Sequence, residues 1–167
     1  MSHSTGSARA EAVGARLSEA FGSVPRPSVF VRESCWCCEC QEHNETLAGH
    51  TPGTISLEQL GNAGWDPICF ASDDAFLYYL PAMARLALES GCYWEHLLFH
   101  LSQPDRVAAL NQAQAEAVLE ALWLLVETRG EELSQAYPGC SAEDVMARLD
   151  SVREAAGQGP GQKPSGY

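Results

Sequence analysis

Four cysteines lie within the stretch CWCCECQEH, residues 35–43. Cys35 with Cys38, and Cys37 with Cys40, form two overlapping C-x-x-C pairs. This spacing lets two thiolates face one centre across a tight turn, as they do in zinc knuckles. Thiolate-rich sites suit zinc, copper(I) or iron–sulfur clusters and suit calcium or magnesium poorly. The stretch therefore predicts a transition-metal site.

Two histidines extend the expected ligand set. His43 follows Cys40 by three residues, and His50 comes seven residues after His43. A closed set of two cysteines and two histidines is typical of structural zinc. We expect zinc, with copper(I) as the alternative metal, to be bound by Cys37, Cys40, His43 and His50. Three further cysteines could each replace a histidine in this set: Cys35, Cys38 and Cys69.

Two other interpretations of the cysteine cluster stay open. Redox-active C-x-x-C motifs lie between a strand and a helix of a βαβ unit, and this chain lacks the alternating pattern of such units. Inert cysteines behave as small core hydrophobes, which fits the apolar neighbours of Cys69 and Cys92. That interpretation fits the cluster poorly, because Glu39, Gln41 and Glu42 make its segment polar.

The other residues capable of chemistry have simpler explanations. His96 and His100 stand four residues apart beside Glu95, a spacing that lets one helix face bind a metal. The order differs from the H-E-x-x-H motif and core leucines flank both histidines, so we expect hydrogen-bonded structural groups. We expect core positions for four aromatic residues: Tyr78, Tyr79, Trp94 and Trp123. No glycine-rich phosphate loop, G-x-S-x-G motif or Ser-His-Asp set is recognisable, so the sequence gives no support for an enzyme.

The charge balance limits the partners. The chain has 22 acidic and 10 basic side chains, a formal net charge of -12, and Lys163 as its one lysine. Such a surface repels nucleic acid and anionic membranes, so we expect a protein partner with a basic surface. The chain start lacks the pattern of a secretory signal, and the most apolar stretch, residues 117–127, is too short and acidic to span a bilayer. We therefore expect a cytoplasmic protein, whose reduced thiols favour metal binding over disulfides.

Most of the chain has the apolar spacing of amphipathic helices. Apolar residues recur every three or four positions in the longer segments, and shorter helices are expected at 38–48 and 57–60. Three serines precede helices as N-caps: Ser56, Ser72 and Ser141. Pro81 lies inside the fourth helical pattern, which resumes beyond it, so we expect a kink there. The longer predicted helices cover residues 7–21, 73–90, 93–101, 112–127 and the segment after 141.

These elements define a mainly α fold. Residues 29–31 and the connector WDPICF, residues 65–70, have the composition of short extended pieces. We therefore expect a single compact helical domain, residues 1–156, with one or two short strands. Its cysteine-rich metal-binding segment covers residues 33–53. Residues 157–167 lack core-forming side chains and are expected to form a flexible tail.

The run ISLEQLGNAGWDPICFASDDAFLYYLPAMARLAL resembles the centre of an uncharacterised bacterial domain family of unknown function. The features that carry the resemblance are GWDPICF, the AF and YLPA motifs, the later LLFHLSQP and the helix NQAQAEAVLEALWLLVE. Together they cover roughly residues 10–130. The resemblance implies one compact, mainly helical domain and lends no activity. A C-x-x-C-x-x-H stretch is similar to one that marks a subset of the family, which implies that the cluster is added to a scaffold that folds without it.

Overall fold

The computed structural model describes residues 3–32, 37–90, 93–133 and 141–157. Within these ranges the chain forms eight α-helices and two short 3-10 turns. The turns cover Ala63–Trp65 and Pro67–Cys69. The helices are α1 (His3–Phe21), α2 (Cys38–Ala48), α3 (Leu57–Leu60), α4 (Asp73–Glu89), α5 (Trp94–Leu101), α6 (Pro104–Ala108), α7 (Gln112–Leu133) and α8 (Ala142–Gly157). The prediction of a mainly helical protein is confirmed.

The extended pieces are shorter than expected. In the described ranges no strand forms, and the pairing is limited to one antiparallel bridge between Val31 and Ala71. Two backbone hydrogen bonds flank it, from Arg32 N to Phe70 O at 3.0 Å and from Ser72 N to Phe30 O at 2.9 Å. Longer pairing is blocked on one side because WDPICF coils into 3-10 turns instead of extending. The expected one or two short strands are therefore reduced to a single bridge.

The predicted serine caps begin their helices. Ser72 Oγ accepts the amide of Ala75 at 3.3 Å at the start of α4. Ser56 forms a capping box with Gln59 at the start of α3. Ser141 Oγ accepts the amide of Asp144 at 3.1 Å in the first turn of α8. These bonds satisfy amide groups that a helix leaves without partners, so the caps fix where the helices start.

Helix α4 lies at the centre of the protein. Its buried side chains include Phe76, Tyr79 and Met83, and it contacts α1, α5 and α7. The helix continues past Pro81 to Glu89. Buried apolar residues from α1 to α8 form one contiguous cluster around it. The core is therefore formed by helices that pack against α4 and against one another.

Helix α7 differs from its prediction in two ways. It continues to Leu133, and its regular backbone is interrupted at Arg129, where φ is -138° and ψ is 23°. Trp123 was expected in the core but is 54% exposed, so that prediction is wrong. Trp123 lies beside charged residues of α1 and α8, including Arg16 and Arg153. Tyr79 and Trp94 are buried as predicted, and Tyr78 is half-buried.

Two features bear on the predicted domain organisation. None of the helices in the described ranges combines the length and apolarity needed to cross a bilayer. The predicted tail begins at Gly157, which is the last residue of α8, and residues 158–167 lie outside the described residues.

The C-terminal end of α2 is fastened to α4. Tyr79 donates its hydroxyl to the carbonyl oxygens of Leu47 and His50, the latter at 2.9 Å. Arg26 donates to the carbonyl oxygens of Ala48 and His50. These donors satisfy the carbonyl groups that the last turn of a helix leaves without partners. The position of α2 thus depends on a buried tyrosine of the central helix.

We expect Tyr79→Phe to lower the free energy of unfolding by about 1–2 kcal/mol, because it leaves buried carbonyl oxygens with one donor fewer. Urea unfolding followed by circular dichroism measures the change. Tyr78→Phe is the matched control, since it removes a hydroxyl from the neighbouring half-buried ring. Equal losses in the two variants would contradict the anchoring role of Tyr79.

Candidate functional site

The connector between α3 and α4 contains two 3-10 turns and, from here on, denotes residues 63–70, which include WDPICF. Asn62 Oδ1 accepts the amide of Gly64 at 3.0 Å and starts the first turn. Asp66 Oδ1 accepts the amide of Ile68 at 2.9 Å and starts the second. Pro67 follows at the first position of that turn, where its fixed φ is favourable and its missing N–H costs nothing. The sequence N-x-x-x-D-P therefore fixes the backbone of the connector locally.

The connector presents different residues to two neighbouring helices. Trp65 and Phe70 contact the ring of His43 on α2. Asp66 is directed towards α5, where its Oδ2 lies 2.7 Å from His100 Nε2 and 3.5 Å from His96 Nδ1. One short segment thus contributes to two groups of side chains capable of chemistry.

His100 lies in a chain of buried charged and polar groups. Its side chain is 1% exposed, and its Nδ1 lies 2.6 Å from Arg106 Nη1. Arginine can only donate hydrogen bonds, so Nδ1 is the accepting nitrogen and Nε2 carries the proton. The Nε2–H group then donates to the carboxylate of Asp66. The neighbours of His100 thereby fix a neutral ring in one tautomer.

Arg106 joins this chain to the connector. Its Nη2 donates to the carbonyl oxygen of Ile68 at 2.9 Å, and its guanidinium carbon lies 4.6 Å from the ring centre of Phe76. The residue is 4% exposed although it comes from the five-residue helix α6. Its burial allows one side chain to hold both His100 and the second 3-10 turn.

The environment shifts the pKa values of all three groups. Burial would raise the pKa of Asp66, but its interactions with His100, with the nearby His96 ring and with the Ile68 amide outweigh it and hold that pKa well below its usual range. Burial lowers the pKa of His100 against the opposing influence of Asp66. Burial also lowers the pKa of Arg106. Near neutral pH the carboxylate is therefore ionised and the imidazole is uncharged.

The Asp66 carboxylate also belongs to the lining of a cleft of about 280 Å³. Its lining residues come from the connector and α5: Ala63, Asp66, Cys69, Glu95, His96 and Phe99. Cys69 is exposed, so the prediction that it is a core cysteine is wrong. Partial burial and the charge of Asp66 raise the pKa of its thiol. This environment argues against Cys69 as a nucleophile, because nucleophilic cysteines need a stabilised thiolate.

Tyr93, the residue that precedes α5, has a buried hydroxyl group. The residue is 1% exposed, and its ring stacks on His96 with 5.0 Å between the ring centres. Its hydroxyl oxygen is buried and makes no hydrogen bond within the described part of the chain. Burial, followed by the charges of Asp66 and Cys69, raises the pKa of this hydroxyl well above its usual range. A buried hydroxyl without a hydrogen-bond partner therefore belongs to a residue that packs on His96, one of the residues lining the cleft.

Three side chains of this region have the spacing of metal ligands. One potential ligand atom from each lies within 4.8 Å of the other two, and among the described residues they are the only such group. Oxygen, sulfur and nitrogen donors together favour a transition metal over calcium or magnesium. The group consists of Asp66, Cys69 and His100.

The second group of side chains that the connector contacts lies on α2 and is centred on His43. The residue is 0% exposed and lies between two aromatic rings, with ring-centre distances of 4.4 Å to Phe70 and 4.7 Å to Trp65. Neither of its ring nitrogens has a hydrogen-bond partner among the described residues. The nearest carboxylate oxygen, from Glu39, lies 3.8 Å from Nε2. A fully buried imidazole with two unpartnered nitrogens is rare, since each costs free energy.

The predicted ligands occupy both ends of α2. Cys37 is the exposed N-cap of the helix, and Cys40 is buried in its first turn. His50 lies beyond the C-terminal end, where its Nδ1 is 2.8 Å from the carbonyl oxygen of Thr46. No three of the four predicted ligands, all of which belong to the described residues, place ligand atoms within 4.8 Å of one another. Of the substitutes, Cys38 is exposed near the N-cap, Cys69 lies at the cleft, and Cys35 lies outside the described residues.

Sequence reasoning missed Asp66, Tyr93 and Arg106 as members of a site. It gave His100 a structural, hydrogen-bonded role, which agrees with its buried contacts. The signal that could have been used is the one acidic residue of the apolar stretch WDPICF. A carboxylate in such a stretch needs partners when buried, and the histidines of α5 were available.

We expect Arg106→Met to lower the free energy of unfolding by about 3–5 kcal/mol, because it leaves the buried carboxylate of Asp66 without its compensating charge. Urea unfolding measures the loss. Arg153→Met is the control, since Arg153 pairs with Asp150 at the surface and such pairs contribute about 0–1 kcal/mol. A loss for Arg106→Met no larger than that of the control would show that the buried chain does not support the connector.

Comparison of the chain with protein-family models, with curated proteins and with solved structures finds no match in any of the three.

Proposed function

We propose that this is a small acidic zinc-binding protein that acts as a protein-interaction or regulatory module. In this proposal a zinc ion is bound at the N-terminal end of α2. The observation that carries it is the burial of both ring nitrogens of His43 without a hydrogen-bond partner.

The surroundings of His43 favour a metal as the missing partner of one of its two ring nitrogens. A buried polar group without a hydrogen bond costs about 1–3 kcal/mol, so a ring enclosed by Trp65 and Phe70 needs a compensating contact. Cys40 is 2% exposed and precedes His43 by three residues, which puts both side chains on one side of α2. Helical side chains lean towards the N-terminus, so His43 leans towards the cysteines. A thiolate and an imidazole so arranged are typical zinc ligands.

The ligands we assign are Cys37, Cys40 and His43, with a thiol from Cys35 or Cys38 as the fourth. Metal binding would have to draw the first three together, because their ligand atoms do not all lie within 4.8 Å of one another. His50 belonged to the predicted set, but it lies about 10 Å from His43 along the helix axis, given a rise of about 1.5 Å per residue. Its Nδ1 contact with the Thr46 carbonyl and its backbone contact with Tyr79 hold it at the other end of α2. In a closed site of this kind, bound zinc contributes folding free energy and orders the segment that holds it.

The interaction role is supported by charge. A net charge of -12 on a chain of 167 residues attracts basic surfaces and repels polyanions. A zinc-ordered α2 would then present a fixed surface next to Trp65, whose side chain is 42% exposed. The partner in this proposal is a protein with a basic surface.

A second candidate function is metal handling or thiol redox chemistry. The adjacent Cys37 and Cys38 are both exposed, which favours this alternative because exchangeable metals and redox reactions require accessible thiols. Copper(I) is the soft metal that such a site would take in place of zinc.

We expect His43→Phe to lose the α2 zinc ion while keeping the aromatic packing, because phenylalanine matches the shape of the ring and lacks its nitrogens. Metal analysis of the purified full chain should show the same loss of one zinc equivalent for Cys40→Ser. His50→Gln is the matched control and should keep its zinc. Unchanged zinc in His43→Phe would make His43 a core residue, and tighter binding of copper(I) than of zinc in a competition titration would favour metal handling.

We expect chelation of the metal to disorder roughly residues 33–53 while most of the helical signal survives. The segment is polar and short, so it cannot offset its ordering entropy alone, whereas α4 and α7 hold large apolar side chains of the core. Hydrogen exchange with and without chelator localises the loss, and circular dichroism measures the remaining helix. Global unfolding would make the metal essential to the whole fold, and unchanged exchange in α2 would contradict zinc binding there.

A further inference from the structure

We propose that the cleft between the connector and α5 is a second metal site, in which Asp66, Cys69 and His96 bind a first-row transition-metal ion such as zinc. The site is separate from the one proposed on α2 and does not depend on it. The geometry that points to it is the convergence of a carboxylate, a thiol and an imidazole on one cleft of about 280 Å³.

One of the three ligand pairs already has the separation expected for two ligands of a common ion. His96 Nδ1 lies 3.5 Å from Asp66 Oδ2, which is long for a hydrogen bond between these atoms. Two ligand atoms of one tetrahedral zinc ion lie about 3.3–3.6 Å apart, given zinc bond lengths of about 2.0–2.3 Å. A ligand atom of Cys69 lies within 4.8 Å of one from Asp66. Asp66, Cys69 and His96 are not themselves a group whose ligand atoms all lie within 4.8 Å of one another, so Cys69 and His96 would have to rotate towards each other to complete a three-ligand set.

His100 supports this set without belonging to it. Its Nδ1 faces the Arg106 guanidinium at 2.6 Å, which leaves the proton on Nε2 and gives that nitrogen no lone pair for a metal. Metal-binding histidines have the opposite arrangement, in which the second nitrogen donates to an acceptor. His100 also does not line the cleft, whereas His96 does. Its hydrogen bond instead orients the Asp66 carboxylate, whose oxygens each keep capacity for a further partner.

Tyr93 gives an independent indication that something polar binds here. Its buried hydroxyl has no hydrogen-bond partner among the described residues, and its ring stacks on that of His96. A metal-bound water or the thiolate of Cys69 would supply the acceptor that it lacks. Three protein ligands and an open cleft are the arrangement of zinc sites that keep one exchangeable position. The site would therefore take a metal with a water or a small anion as its fourth ligand.

The test is zinc and cobalt(II) binding by the full-length protein after the bound metal is removed with a chelator. We expect Cys69→Ser and His96→Gln each to lose one zinc equivalent and the matching thiolate–cobalt charge-transfer intensity. Cys40→Ser and His43→Phe should keep that equivalent, so the cleft site and the α2 site fail or succeed separately. Phe99→Leu is the control, because Phe99 lines the cleft, is 47% exposed and has no donor atom. Cys69 and His96 line the open cleft, and circular dichroism checks that their variants fold.

Two further measurements separate the roles of the histidines and the open position. His100→Asn should weaken cobalt binding about 10- to 100-fold without abolishing it, as expected for a residue that orients a ligand. Azide should change the cobalt spectrum of the cleft site. Unchanged metal content in both Cys69→Ser and His96→Gln would overturn the proposal. Loss of the metal from His100→Asn together with full retention in His96→Gln would overturn the ligand assignment.

Discussion

The carboxylate of Asp66 holds together the part of the molecule where chemistry is possible. One of its oxygens accepts a hydrogen bond from the amide of Ile68 and so starts the second 3-10 turn. The other accepts a hydrogen bond from His100 Nε2. These bonds favour the second 3-10 turn over an extended backbone, since the other five residues of WDPICF are apolar or proline and have no side chain that could accept the Ile68 amide. The coil in turn sends Trp65 and Phe70 to α2 and Cys69 to the cleft. Both proposed metal sites therefore depend on how this one carboxylate is buried.

Burial of the Asp66 carboxylate requires compensating groups from other parts of the chain. An ionised carboxylate is costly in a low-dielectric interior unless a positive charge and hydrogen bonds compensate it. Here the compensation passes through a neutral imidazole to Arg106, which also holds the connector through the carbonyl oxygen of Ile68. That guanidinium belongs to the short helix α6, so the position of α6 determines where the compensating charge lies. Along this chain Arg106 fixes the tautomer of His100, and His100 in turn donates to the ionised carboxylate of Asp66.

Much of the fold follows from local sequence patterns, and the sites follow less well. The helical segments, the caps at Ser56, Ser72 and Ser141, and the limits of α2 depend on periodicity and on neighbouring residues, which a sequence displays directly. The contact between Asp66 and His100 joins residues 34 positions apart, and apolar spacing contains no information about which buried polar groups will meet. Composition likewise gave the wrong environment for Trp123 and Cys69, because it does not tell which side of an element the core covers. The spacing of the cysteine cluster predicts metal binding without any tertiary information, whereas the burial of His43 depends on the connector.

The proposed function depends on a metal ion bound by a ring nitrogen of His43. Diffraction from crystals of the zinc-loaded protein, recorded on both sides of the zinc absorption edge, would locate this ion. We expect an anomalous difference peak about 2.1 Å from a His43 ring nitrogen and about 2.3 Å from the Cys40 sulfur. A map without a peak there, in which the nitrogens of His43 bind water or protein groups instead, would contradict it.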